Sequence, residues 1–386
     1  MSAPIRPEIS RMGMNPLGEI AQLAWKVGGV TPLYFGEGDL GTPDFISAAA
    51  KRALDDGKTF YTFANGIPEL RAALKTYTDR LYGVDIAPER ITVPGSAMLA
   101  ITITLQCLME TGDNIVIVTP MWTNIILAAA AAGIEARFAP LTKDESGRWH
   151  FDLETVAAKC DARTKAIFVA SPGNPTGWVM RRAEQENLLA FAREQGIAII
   201  ADEVYARLIH DSDVAPSFLE IAGDEDPVFV INSFSKNWAM TGWRIGWMIA
   251  PESLFTPLQT LCGIANTGAT TFAQYGALAA LTDPRGEAFI EMLRERCRRG
   301  RALVEKSVLQ SNRAKPLRVE GAFYGYLEID GVTDSVALAK RLVTEAKVGV
   351  APGGAFGPGN DSFIRICFAN DEKILAPALE RLFAAL

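Results

Sequence analysis

Between about residue 50 and residue 280, short apolar runs alternate with stretches of helical periodicity, and no other feature of the chain constrains its fold as tightly. The runs are Ile91-Thr92-Val93, Ile115-Val116-Ile117-Val118, Ala166 to Ala170, Ile197 to Ala201, Val228 to Ile231 and Ile245 to Ala250. Each is short and apolar, so each reads as a buried strand. One intervening helix is marked by Pro68 and by Ile67, Leu70, Leu74, Tyr77 and Leu81 at helical spacing, another by Met98 to Met109. The alanine-rich run Ile125 to Ile134 is too short to span a bilayer and reads as a buried helix. Strands separated by helices predict a mainly parallel sheet with helices on both faces, an α/β fold. After Pro284 the pattern changes. A charged helix (Gly286 to Leu309), a strand (Tyr324 to Ile329), a helix (Ser335 to Ala346), a strand (Phe363 to Phe368) and a last helix predict a smaller α+β domain. The expected division is an N-terminal arm over 1–45 that joins the small domain, a large domain over 46–284, and a small domain over 285–386. A length of 386 residues fits two to three domains of roughly 100–200 residues each.

Open α/β sheets bind ligands at the carboxyl ends of their strands, and here those ends carry reactive groups. Pro94-Gly95-Ser96-Ala97 is a strand-turn-helix junction, whose free N–H groups attract an anion. Trp122 follows a strand end and can stack on a flat ring. Asn174, in the turn Ser171 to Gly177, offers an amide donor, and Asp202-Glu203-Val204-Tyr205 offers a carboxylate and a phenol. Lys236 follows the strand Val228 to Ile231, between Ser233, Ser235 and Arg244. Burial disfavours an ammonium and lowers its pKa, as an imine-forming lysine requires. Arg244 and the serines can hold a phosphate. Arg365 lies in an apolar strand and needs a partner if buried; the plain alternative is an internal salt bridge. The plain alternatives elsewhere are a surface lysine, a core tryptophan and a helix-capping aspartate. The glycine-rich stretch at 353–359 lacks a phosphate-loop pattern and reads as a mobile loop near the site.

A net charge of -7 argues against nucleic acid as the main partner. The five cysteines are scattered with no CxxC, and there are two histidines, His150 and His210, so no metal site is expected and a reducing cytoplasm is the simplest home. The N-terminus has no apolar h-region, so neither a signal peptide nor membrane association is expected.

The segment Ser233 to Gly246, with Ser235, Lys236, Thr241, Gly242, Trp243, Arg244 and Ile245 in order, resembles the cofactor-lysine signature of the class I/II aminotransferases. These are pyridoxal phosphate enzymes of fold type I, aspartate aminotransferase-like. The resemblance extends from about Leu33 to the C-terminus and includes Tyr61 with the Gly66-Ile67-Pro68-Glu69-Leu70-Arg71 run, Asn174-Pro175-Thr176-Gly177, and Asp202 to Tyr205. It implies transfer of an amino group from an L-amino acid to a 2-oxo acid, with pyridoxal 5'-phosphate held by Lys236 as an imine. It further implies Asp202 at the ring nitrogen, Asn174 and Tyr205 at the phenolic oxygen, and Trp122 over the ring. The phosphate goes to Gly95, Ser96, Ala97, Ser233 and Arg244, together with Tyr61 from the second chain of a homodimer. The substrate carboxylate goes to Arg365 and Gly36. The loop after Gly36 departs from the family pattern at Gly38, Leu40 and Gly41. Two other readings share the scaffold: a β-eliminating C–S lyase, and a non-catalytic effector domain, which would need a DNA-binding extension. No arginine or lysine is evident for a second substrate carboxylate, so uncharged or aromatic donors are expected to be preferred over acidic ones.

Overall fold

The computed structural model describes residues 5–10, 12, 13 and 15–386. Part of the expected N-terminal arm, at 1–4, 11 and 14, lies outside the described residues. The central layer is a seven-stranded sheet. Its strands in chain order are β1 (Ile91–Gly95), β2 (Asn114–Thr119), β3 (Glu135–Pro140), β4 (Thr164–Ala170), β5 (Ala198–Asp202), β6 (Val228–Ser233) and β7 (Gly246–Ile249). Side by side they run β1-β7-β6-β5-β4-β2-β3. The pairs β2–β3, β2–β4, β4–β5 and β5–β6 are parallel. β7 is antiparallel to both neighbours. The β6–β7 link holds only a one-turn helix and a 3-10 turn instead of a crossover helix, so β7 returns beside β6 in the opposite sense.

Alternate residues of each strand feed two apolar clusters. Val116, Val118, Ile167, Val169, Ile199 and Val230 join one, and Ile115, Ile117, Phe168, Ile200, Phe229 and Ile231 join the other. Both faces are therefore buried, which is why the strands read as unbroken apolar runs. Edge strand β3 is half-exposed and carries Glu135 and Arg137, so it has no such run and escaped the sequence reading.

The helices that bear on the site are α1 (Pro16–Val27), α2 (Pro68–Tyr82), α3 (Ala97–Leu108), α4 (Asn124–Ala132), α5 (Phe234–Asn237), α6 (Pro284–Gln310) and α7 (Ser335–Glu345). Helix α2 buries Leu70, Leu74 and Tyr77, as its spacing predicts. Helix α4 was expected to be buried, yet only Ile125 and Ala129 are fully so, and Leu127 faces solvent. It packs against α3 and β3, and its remaining alanines are half-buried.

A second, antiparallel sheet contains β8 (Tyr324–Glu328), β9 (Ala351–Pro352) and β10 (Phe363–Cys367) in the order β8-β10-β9. The chain's start is bound to this unit. Thr31–Pro32 pairs in parallel with Val348–Gly349, Leu33 O accepts from Cys367 N at 2.8 Å, and α1 packs on α7. The glycine-rich stretch lies near the site, as expected, with its first half packed and Pro358 and Gly359 exposed. Gly353–Phe356 forms a 3-10 turn, Phe356 is wholly buried, and its carbonyl accepts from Met121 N at 3.0 Å. Among the described residues no helix is long and apolar enough to cross a membrane.

Candidate active site

The carboxyl ends of the parallel strands and the small sheet's Tyr324 and Arg365 enclose one cavity of about 530 Å³. Its lining includes Gly36, Ala97, Trp122, Asn174, Asp202, Tyr205, Ser233, Lys236 and Arg244. Residues more than three hundred positions apart in sequence thus meet in one place.

β6 delivers the lysine. Ser233 ends the strand, and its Oγ accepts from Ser235 N at 3.1 Å, which starts the single turn α5. One residue later Lys236 Nζ donates to Gly36 O at 2.6 Å, with the Tyr205 ring centroid 5.7 Å away. No carboxylate forms an ion pair with it among the described residues. Burial, then the nearby Arg365 cation, lower its pKa to about 8, against the opposing pull of Cys367, Glu37 and Asp202. Gly36 can be nothing larger: a Cβ there would stand 2.6 Å from Tyr324 Oη and 3.5 Å from Lys236 Nζ.

Asp202 is the last residue of β5. Its Oδ1 accepts from Val204 N at 3.2 Å, and the chain continues as a turn, so it caps no helix. Burial raises its pKa to about 6, and the Val204 N–H and Lys236 oppose that rise. Burial also raises the Tyr205 phenol, which stays protonated; its Oη lies 2.6 Å from Tyr324 Oη. Tyr324 is a site residue that sequence reasoning missed. No local motif marks it, and only the β8–β10 pairing brings it here.

Arg365 is fully buried, with no ion pair among the described residues, so the internal salt bridge is absent. Nη1 donates to Asn174 Oδ1 at 2.8 Å and Nη2 to Tyr34 O, while Nε is buried without a partner. The guanidinium is packed against three rings, with centroids at 4.4 Å (Tyr324), 5.0 Å (Phe356) and 5.7 Å (Trp122). A buried cation held by neutral groups is a ready receptor for an anion.

At the opposite end, Ser96 caps α3 by accepting from Leu99 N at 3.2 Å. Gly95, at φ 124°, takes a turn closed to other residues, and a Cβ there would press on Asn266 Nδ2 at 3.3 Å. Gly95 and Ser96 stand behind the lining, and Ala97 reaches it. Arg244 occupies the left-handed region at φ 52°, and its Nη1 donates to Thr241 O at 2.6 Å. Tyr61 is not brought in. It is 90% exposed and lies in a separate hollow with Phe60, Thr267 and Thr270.

The family model described as "Aminotransferase class I and II" matches residues 30–382. A probable aspartate/prephenate aminotransferase of Aquifex aeolicus is 34% identical over 369 residues, covering 93% of this chain and 92% of the relative. An aspartate aminotransferase of Thermotoga maritima is 34% identical over 358 residues, covering 92% and 90%. A solved structure of a Thermus thermophilus aspartate aminotransferase single mutant superposes with a TM-score of 0.92 at 31% identity, covering 100% of both chains.

Proposed function

Because this chain belongs to the class I and II aminotransferases, pyridoxal phosphate enzymes that move an amino group from an amino acid to a 2-oxo acid, we propose that the cavity is the active centre and Lys236 the residue to which the cofactor is bound. One observation carries the assignment: a half-buried lysine at the cavity wall, with no carboxylate partner among the described residues and its pKa lowered to about 8, where the parallel strands end. The relatives named above are aminotransferases, which favours transfer over β-elimination. Reduced surroundings suit the five free cysteines.

The residues present fit the group. Arg244, without an ion pair among the described residues, and the capped start of α3 suit a phosphate, the half-buried Asp202 suits a protonated ring nitrogen, and the Arg365 guanidinium, held by neutral groups, suits a carboxylate. When bound, pyridoxal phosphate supplies a ring that withdraws electrons from the substrate α-carbon. The protein does the rest. Asp202 keeps the ring nitrogen charged. Tyr205, fixed by Tyr324, and Asn174 donate to the phenolic oxygen. Trp122 would stack on the ring. Arg365 and the backbone of Gly36 would orient the α-carboxylate. Lys236 would take the proton from the substrate α-carbon.

Arg365→Lys keeps the charge and loses the planar fork that spans a carboxylate. A charge-assisted hydrogen bond is worth roughly 1.5–3 kcal/mol, so kcat/KM falls about tenfold to a hundredfold. The loss is uniform across amino donors, because all share the α-carboxylate. Steady-state assays that pair 2-oxo acid formation with the new amino acid check this. A loss confined to one donor, or ammonia released without an acceptor, contradicts the assignment.

The active unit is at least a homodimer in this reading. Tyr61, Phe60, Phe63 and Ile264 are 90%, 82%, 58% and 77% exposed. Apolar residues grouped in this way mark an interface. A second copy docked there brings its own Tyr61 to the phosphate. Sedimentation gives a dimer, and Tyr61→Phe weakens cofactor binding by about tenfold, the worth of one hydrogen bond to a charged group. A fully active monomer refutes the idea.

A further inference from the structure

We infer that the cavity contains an apolar chamber for the substrate side chain, built by Leu17, Ala21, Phe35, Met98, Ile101 and Met121. The inference rests on the aminotransferase reading and specifies its substrate class: amino acids with aliphatic or aromatic side chains.

Charge is the first argument. The lining cations are Lys236, Arg244 and Arg365. In the reading above they serve the cofactor, its phosphate and the α-carboxylate. No cation among the described lining residues remains for a second carboxylate. Glu37 also faces the cavity. Its Oε2 accepts from Thr241 Oγ1 at 2.7 Å, and it has no ion pair among the described residues. An aspartate or glutamate side chain entering here would give up water for apolar surface and a like charge.

The wall itself is the second argument. Leu17 and Ala21 lie one helical turn apart on α1, so one face of that helix meets the cavity. Ile101 and Met98 present the matching face of α3. Asn15 fixes the wall, since its Oδ1 accepts from Leu17 N at 2.9 Å and its Nδ2 donates to Thr123 Oγ1 at 3.2 Å. Phe35, 42% exposed, stands edge-on to Tyr34 at 4.5 Å and places an apolar ring in the lining. Asn124 supplies an uncharged amide. Burying a leucine or phenylalanine side chain in such a wall is worth about tenfold to a hundredfold in binding.

The test is the first half-reaction of the loaded enzyme, which needs no acceptor. The visible band of the bound cofactor is followed as phenylalanine, leucine, methionine, alanine or aspartate is added. Phenylalanine and leucine are expected to react at least about tenfold more efficiently than aspartate. Phe35→Ala, at a partly exposed position that does not threaten folding, shrinks the ratio of phenylalanine to alanine by about tenfold. Ala21→Lys places a cation in the wall and raises aspartate relative to phenylalanine by at least as much. Aspartate equal to or ahead of phenylalanine overturns the chamber. So does a phenylalanine lead that neither variant reduces. Absence of any visible band with added cofactor, and of turnover with every donor, removes the aminotransferase reading beneath it; aspartate turnover in first place leaves that reading standing.

Discussion

Lys236→Ala binds the cofactor and turns over almost nothing. Proton transfer by a positioned group contributes roughly 10²–10⁴-fold, and the variant loses that together with the covalent attachment. The phosphate groups contributed by α3 and Arg244 do not depend on the lysine, so cofactor affinity falls less than turnover. In the native protein, borohydride abolishes the visible band and leaves a pyridoxyl label on Lys236; a label on another lysine removes the assignment. The pH dependence follows from the lowered pKa of about 8. Only the neutral amine attacks the cofactor, and its fraction grows as pH rises through about 8 rather than through the usual lysine range. Reloading of cofactor-free protein therefore accelerates with pH and levels off above about 8. A rate still climbing near the ordinary lysine pKa contradicts the half-buried, cation-flanked amine.

Asp202→Ala gives the second largest loss. A preorganised group in a water-excluded site is worth roughly 10²–10³-fold in kcat. Asp202 is half-buried at the cavity wall with one backbone donor, so its carboxylate is weakly satisfied until a cation meets it. A protonated ring nitrogen is such a cation. It draws the carboxyl pKa down from about 6, and the negative form persists at neutral pH. The variant lowers kcat by that factor while substrate binding changes little, because the α-carboxylate is held elsewhere. Asp202→Asn keeps the shape without the charge and tracks the alanine variant. An unchanged rate with cofactor bound takes Asp202 out of the mechanism.

The sheet was legible because both its faces are buried, so strands β1, β2 and β4 to β7 announced themselves as apolar runs whose ends fell on Asn174, Asp202 and Lys236. β3 was not, because an edge strand with Glu135 and Arg137 has no apolar run to detect. Arg365 could be singled out as a cation in an apolar strand, but its partners Asn174 and Tyr34 are fixed by tertiary packing. Tyr324 was invisible for the same reason: a strand residue becomes a site residue only through its register with β10. The glycine-rich stretch read as a mobile loop near the site; it does lie there, with Phe356 packed against Trp122 and Arg365, a contact that no local signal states. The wall from α1 could not be read either, since nothing local states what an amphipathic helix will face.

The hydrogen bond from Arg365 to Tyr34 joins residues 331 positions apart. Synthesis delivers Gly36 before, and Arg365 after, every strand of the large sheet. Local helices and neighbouring strands can form as the chain emerges, but closing so long a loop waits for Arg365 and carries a large entropic cost. The pocket is thus completed only after every strand of the large sheet has been made. A ligand that needs both Gly36 and Arg365 distinguishes molecules that carry both from those truncated between them, and by mass action it adds its binding energy only to the former.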